Sequence, residues 1–143
     1  MPRMLVSRIS LVLLALACGV QQPVWADSVR PANVDPESGQ RAVFRLGCVA
    51  CHSLRRDGPN GIGPNLFNVV GAAKASHAGF VYSQALRAKG GVWSIDALDA
   101  WLTKPSAFAP GTRMSFAGID DADTRAAVIA YLRSLSDRPP LAP

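Results

Sequence analysis

The sequence predicts an all-α fold, a small single domain of three to five helices joined by long loops. Apolar residues recur at helical spacing in several stretches, two of them opened by a capping side chain. No stretch alternates as a strand. Two segments rich in glycine, proline and small polar residues lack any period and read as irregular loops. In order, Asp35 can cap a first helix, Pro36 suits its first position and Glu37 favours the positive end of the dipole. Val43, Phe44 and Leu46 give this helix its apolar side before Gly47. Residues 53–80 are the first irregular segment. Ser83 to Lys89 is a short helix stopped by Gly90-Gly91. Ser94 caps the next, with Ile95, Leu98, Trp101 and Leu102 along one side and Pro105 ending it. Residues 105–119 form the second loop. The last helix runs over Asp121–Ser136, with Val128, Tyr131, Leu132 and Leu135 at helical spacing, and Pro139-Pro140 closes it. Loops of this length need something to pack on.

The 143 residues divide unevenly. An apolar run over residues 9–20 follows Arg3 and Arg8, and Val24-Trp25-Ala26 ends on a small residue, the pattern of a secretory signal peptide cleaved after Ala26. The run is shorter than the roughly 20 residues a membrane span needs, which disfavours an uncleaved anchor. Ala15-Leu16-Ala17-Cys18 resembles a lipoprotein site only loosely. The expected organisation is signal peptide 1–26, short lead 27–34, folded domain 35–137 and tail 138–143. Removing Arg3 and Arg8 lowers the formal charge from +5 to about +3, too mild to point to nucleic acid. An acidic tail, a repeat array and a polytopic membrane protein are excluded.

Of three cysteines, Cys18 falls in the signal, so Cys48 and Cys51 remain, in Cys48-Val49-Ala50-Cys51-His52. Cys-x-x-Cys-His is the attachment signature of haem c. Each thiol adds to one vinyl group, and the adjoining imidazole becomes an axial ligand of the iron. A thioredoxin-like pair would need a βαβ setting that is missing. Zinc held by Cys48, Cys51, His52 and His77 lacks the usual histidine spacing, and a Cys48–Cys51 disulfide closes too small a loop to stabilise much. Export agrees with haem, which also gives the loops an apolar surface. For the sixth iron position the candidates are His77 and Met114. Met114 is favoured: it follows a Pro110-Gly111 turn in a loop, where a thioether has reason to stand only if it packs or ligates. A His52/Met114 pair favours ferrous iron and raises the reduction potential.

With these motifs the chain resembles the class I cytochromes c, in the branch of mitochondrial cytochrome c and bacterial cytochrome c2. The resemblance covers Asp35 to Asp137. It rests on the Cys-x-x-Cys-His motif, Gly63-Pro64-Asn65-Leu66, Gly79-Phe80-x-Tyr82-Ser83, Trp93, Trp101-Leu102-x-x-Pro105 and Pro110-Gly111-Thr112-x-Met114. It implies that the Pro64 carbonyl accepts the second N–H of His52, that Tyr82 and Trp93 donate to a haem propionate with Thr112 on the same side, and that Trp101 stands near the methionine sulfur. Two departures stand out. Ala72-Ala73 follow Gly71 where the family often has arginine beside a propionate, and Trp101 replaces a common tyrosine.

These readings make the protein a monomeric periplasmic electron carrier, not an enzyme. The partners expected are membrane redox complexes (a quinol–cytochrome c reductase, a terminal oxidase or a reaction centre) or a periplasmic dehydrogenase. The alternative is a haem subunit dedicated to one dehydrogenase; an open-iron, gas-binding or enzymatic protein requires that Met114 not ligate. Arg45, Arg55, Arg56, Lys74, Lys104 and Arg113 flank the haem motifs, with Asp57 nearly alone among acids there, whereas Asp120, Asp121 and Asp123 open the last helix. This predicts a dipole that steers transient docking on an acidic partner.

Overall fold

A computed structural model describes residues 35–138. Five α-helices occur among them: α1 (Pro36–Arg45), α2 (Gln84–Lys89), α3 (Ile95–Thr103), α4 (Pro105–Phe108) and α5 (Ala122–Ser134). A 3₁₀ turn at Cys48–Ala50 follows α1. No strand forms among the described residues beyond an isolated bridge between Ala73 and Val92. The expected signal peptide, lead and most of the tail, including Pro139-Pro140, lie outside the described residues.

The caps expected at Asp35 and Ser94 form, and Ser83 and Asp121, read from the sequence as first helical residues, are caps as well. Asp35 accepts the backbone N–H groups of Glu37 and Ser38, Ser83 that of Leu86, and Ser94 that of Ala97. Asp121 accepts the N–H of Thr124, and bonding to Thr124, side chain first, holds its carboxyl below the ordinary value. This cap therefore stays ionised to lower pH than an ordinary aspartate and is lost as pH falls through its lowered value.

Three expectations need correction. Phe44 is 56% exposed, so the buried face of α1 consists of Gly39, Ala42 and Val43. Pro105 does not simply end α3: Lys104 turns extended, and Pro105 opens the separate four-residue α4 inside the segment expected to be loop. Helix α5 stops at Ser134 instead of Ser136, because the N–H of Asn68 takes the Leu135 carbonyl and the Asn68 side chain takes the N–H of Asp137.

The core forms where α1 crosses α5 and α3 leans on α5. Val43, Val128 and Ile129 are each 1% exposed, with Leu98, Leu102 and Leu132 beside them. The crossing is close enough that a Cβ on Gly39 would overlap the Ala127 carbonyl and the Tyr131 side chain. Glycine is needed here for contact distance, within an ordinary helix. Gly39→Ala is therefore expected to separate α1 from α5 and to cost roughly 1–3 kcal/mol, as overpacking does. The denaturant midpoint of the holoprotein should fall with little change in slope.

Candidate functional site

Gly47, in the left-handed region at φ 75°, reverses the chain after α1 and starts the 3₁₀ turn. The turn is closed by the N–H groups of Cys51 and His52, both donating to the Cys48 carbonyl at 3.2 and 3.0 Å. It delivers two partly buried free thiols and the imidazole to one wall of a cavity of about 940 Å³. Burial raises the Cys48 thiol above its ordinary value, so it stays protonated at neutral pH.

The ring of His52 is fixed from two sides. Its Nδ1 lies 2.7 Å from the Pro64 carbonyl oxygen; since a carbonyl only accepts, Nδ1 carries the proton and Nε2 keeps its lone pair. Behind it, Gly63 leaves room: a Cβ there would run into Cε1 and both ring nitrogens. Burial pushes the imidazole below its ordinary value, partly offset by the Pro64 bond, which keeps it neutral and able to ligate.

The loop that supplies Pro64 is braced by Asn65, the buried polar residue of this wall at 4% exposure. Its Nδ2 donates to the Arg55 and Gly58 carbonyls at 2.8 and 2.9 Å, and its Oδ1 accepts the Phe67 N–H at 2.9 Å. One amide thus satisfies backbone groups that an irregular loop would otherwise leave unpaired. The sequence placed Asn65 in a motif without revealing this task.

Met114 lines the same cavity from the loop after α4. Thr112 donates its N–H to Ala109, which is fully buried, and its hydroxyl accepts the Met114 N–H at 3.3 Å. The far end of the loop is tied as firmly. Ile119 donates to the Leu102 carbonyl, and Gly118 passes so near Thr103 that a side chain would overlap its carbonyl. Arg125 of α5 donates to the Ile119 and Asp120 carbonyls and pairs with Asp99 of α3 at 2.7 Å. Sequence reasoning missed this clamp, since Asp99 and Arg125 lie on different helices and carry no local signal.

Tyr82, Trp93, Trp101 and Thr112 also line the cavity, so all nine residues singled out from sequence line it together. The Tyr82 hydroxyl accepts the His77 N–H at 3.3 Å and keeps its own proton for another acceptor. Trp93 and Trp101 pack 5.5 Å apart, and Phe108 of α4, overlooked in the sequence, joins both rings. His77 reaches the cavity too, by way of the Tyr82 loop. Among the described residues no three His, Cys, Asp or Glu side chains form a metal cluster, so the zinc arrangement has no geometry here. A large apolar cavity, two thiols at its wall and an imidazole whose packing leaves no space for a Cβ behind it fit haem c.

Comparison with known proteins agrees. The cytochrome c family model matches residues 36–136. A cytochrome c homolog of Bradyrhizobium diazoefficiens is 48% identical over 104 residues, which is 72% of this chain and 55% of the relative. Another from Rickettsia felis is 54% identical over 106 residues, 74% of this chain and 58% of the relative. The chain thus spans little more than half the length of these relatives. Cytochrome cH from Methylobacterium extorquens matches with a TM-score of 0.65 at 38% identity, over 70% of this chain and 98% of that one.

Asn65→Ala leaves backbone groups of residues 55–67 without partners. The expected loss is roughly 3 kcal/mol from three buried bonds, read as a lower unfolding midpoint, with faster amide exchange confined to this loop.

Proposed function

Because the chain belongs to the cytochrome c family, whose members hold haem c covalently, we propose that it is an exported carrier of single electrons with His52 and Met114 as the iron ligands. One observation supports this best: a single cavity is lined by two thiols, an imidazole whose outer N–H is committed to Pro64, and a thioether. Haem c supplies an iron that takes up and releases one electron. The chain's residues do the rest. Cys48 and Cys51 tether the group through thioethers; Pro64 and Gly63 hold the imidazole plane; the Thr112 bond and the Arg125 clamp hold the Met114 loop at both ends. Ligands held this way change little between oxidation states, and a filled sixth position keeps oxygen and substrates from the iron. The apolar wall of Leu66, Trp101 and Leu132 keeps water out.

The positive docking surface is narrower than the charge count implied. Arg56 forms a two-pronged pair with Asp137 and lies over the Phe67 ring, and Lys74 donates to Gly90 over the Trp93 ring. Arg55 and Arg113 are exposed, and the ion pairs found among the described residues use Arg41, Arg56 and Arg125 instead. Arg45 and Lys104 are exposed as well, but Arg113 lines the cavity and Arg55 closely follows His52, so these two are the cations best placed to steer an acidic partner, whether a quinol–cytochrome c reductase, a terminal oxidase, a reaction centre or a periplasmic dehydrogenase. The dedicated-subunit reading draws on Ile62 and Val81, which line the cavity yet are 82% and 66% exposed, an apolar rim that permanent docking would cover.

Met114→Ala should abolish the thioether-to-iron charge-transfer band, lower the reduction potential and open the iron to carbon monoxide. Wild-type mass should equal residues 27–143 plus one haem that survives acid extraction. Ready carbon monoxide binding by reduced wild type would overturn the ligand assignment, and a lipid on Cys18 or an intact residue 1–26 segment would replace free export with membrane tethering.

The second-order rate with an acidic partner should fall tenfold or more, in order of magnitude, between low and physiological salt. Arg55→Glu with Arg113→Glu should slow it further than Arg133→Glu. Arg125 is unsuitable as the control because its loss breaks the clamp on Asp99. A flat salt profile favours the dedicated subunit.

A further inference from the structure

Arg138 lies beyond α5 at the end of a polar segment, where it is exposed and at the same time lines the mouth of the cavity. Several bonds bring it there. Its Nε donates to the Asn68 carbonyl at 3.2 Å, and its backbone N–H donates to the Ser136 hydroxyl at 3.0 Å. That hydroxyl and the Asp137 N–H both donate to the Asn68 side-chain oxygen, at 2.9 and 2.8 Å. Asp137 is held in turn by the two-pronged pair with Arg56. Asn68 takes φ 61°, a left-handed conformation that asparagine tolerates better than most residues. Leu135 packs against the core, but residues 136–138 after it bury little apolar surface, so ordering them gains little hydrophobic stabilisation to set against the lost entropy. What the network does accomplish is to set a guanidinium on the rim of the cavity.

Its place on the rim is specific. Asn68 begins a tight turn in which Ala72 donates to Val69, Gly71 donates to the Trp93 carbonyl, and Trp93 donates back to Ala72, at 3.0, 2.8 and 2.8 Å. The turn carries no cation of its own at residues 68–73. Of the lysines and arginines among the described residues, Arg113 and Arg138 line the cavity, from different segments of the chain, and Arg138 is the one anchored through its own guanidinium. Haem is a dicarboxylate, and a carboxylate removed from water is costly unless it is paired. A guanidinium with one nitrogen fixed on a carbonyl still presents donors to a carboxylate, in the planar geometry that suits it.

We infer that Arg138 pairs with a haem carboxylate at the wall formed by the 68–72 turn and Trp93, so that the segment after α5 is part of the cofactor site. A cation there offsets negative charge that stabilises ferric iron, and so it raises the reduction potential. The inference rests on haem in this cavity and is independent of which residue is the sixth ligand.

The test uses the mature holoprotein and the variants Arg138→Gln, Arg138→Lys and Arg133→Gln, compared by equilibrium redox titration and by the visible spectrum of the oxidised form. Arg138→Gln should reduce the equilibrium constant for reduction by roughly fivefold, about 40 mV at 59 mV per tenfold for one electron. Arg138→Lys should keep most of the wild-type value and Arg133→Gln nearly all of it. The thioether-to-iron band should persist in all three. An unchanged potential in Arg138→Gln, or equal falls in the glutamine and lysine variants or in Arg133→Gln, overturns the pairing and leaves a structural latch. A fall accompanied by loss of the band also overturns it, by tracing the change to ligand displacement. If wild type itself lacks the band, the Met114 reading fails, while the comparison of potentials still decides the role of Arg138.

Discussion

The hydrogen bond from His52 Nδ1 to the Pro64 carbonyl is the constraint on which the other features of the site converge. It fixes the tautomer, sets the plane of the ring and leaves the Nε2 lone pair unshared, as outer partners of metal-bound imidazoles commonly do. Everything upstream serves to bring the two ends of this bond together. Gly47 turns the chain out of α1, the 3₁₀ turn lifts His52 to the cavity wall, and Gly63 vacates the space behind the ring. On the other side Asn65 holds the Pro64 loop to the chain that leaves His52.

The same economy of means recurs around the cavity. Regular secondary structure supplies the α1–α5 core and α3, but the walls are irregular, and irregular backbone must find hydrogen bonds outside a helix or sheet. Polar side chains provide many of them, three above all. Asn65 serves the His52 side, Arg125 the exit of the Met114 loop, and Asn68 the junction with the end of α5. Asn65 ties one loop to itself, while Arg125 and Asn68 link segments distant in sequence, and each fixes an irregular stretch of wall. A rigid wall suits electron transfer, in which the protein should reorganise little when the iron changes charge.

These polar ties also redistribute the surface charge. Arg56 and Arg125 look, by composition, like solvated cations of equal standing with Arg55 and Arg133. In the fold one is spent on Asp137 and the other on Asp99. The cationic character at the haem motifs therefore rests on fewer side chains than a count suggests, next to an apolar rim at Ile62 and Val81. Weak, salt-sensitive encounter and closer apolar contact are both available to such a surface, and their balance sets whether a partner is held briefly or permanently.

Local signals in the sequence were sufficient for the all-α class, the caps at Asp35 and Ser94 and the Cys48-x-x-Cys51-His52 attachment motif. Each depends on neighbours a few residues apart, where propensity and spacing act directly. Tertiary structure decided what depends on distant segments. Val43 rather than Phe44 faces the core because α5 passes on the Gly39 side, and the α5 end moved inward because Asn68, far earlier in the chain, captured its last carbonyl and N–H groups. The helical pattern of α1 is compatible with either facing, and no local preference marks an asparagine as a latch or an arginine after the last helix as part of a cofactor wall. Such roles arise only when the chain closes on itself, since a hydrogen bond or a close contact is defined by both partners and the sequence shows each of them alone.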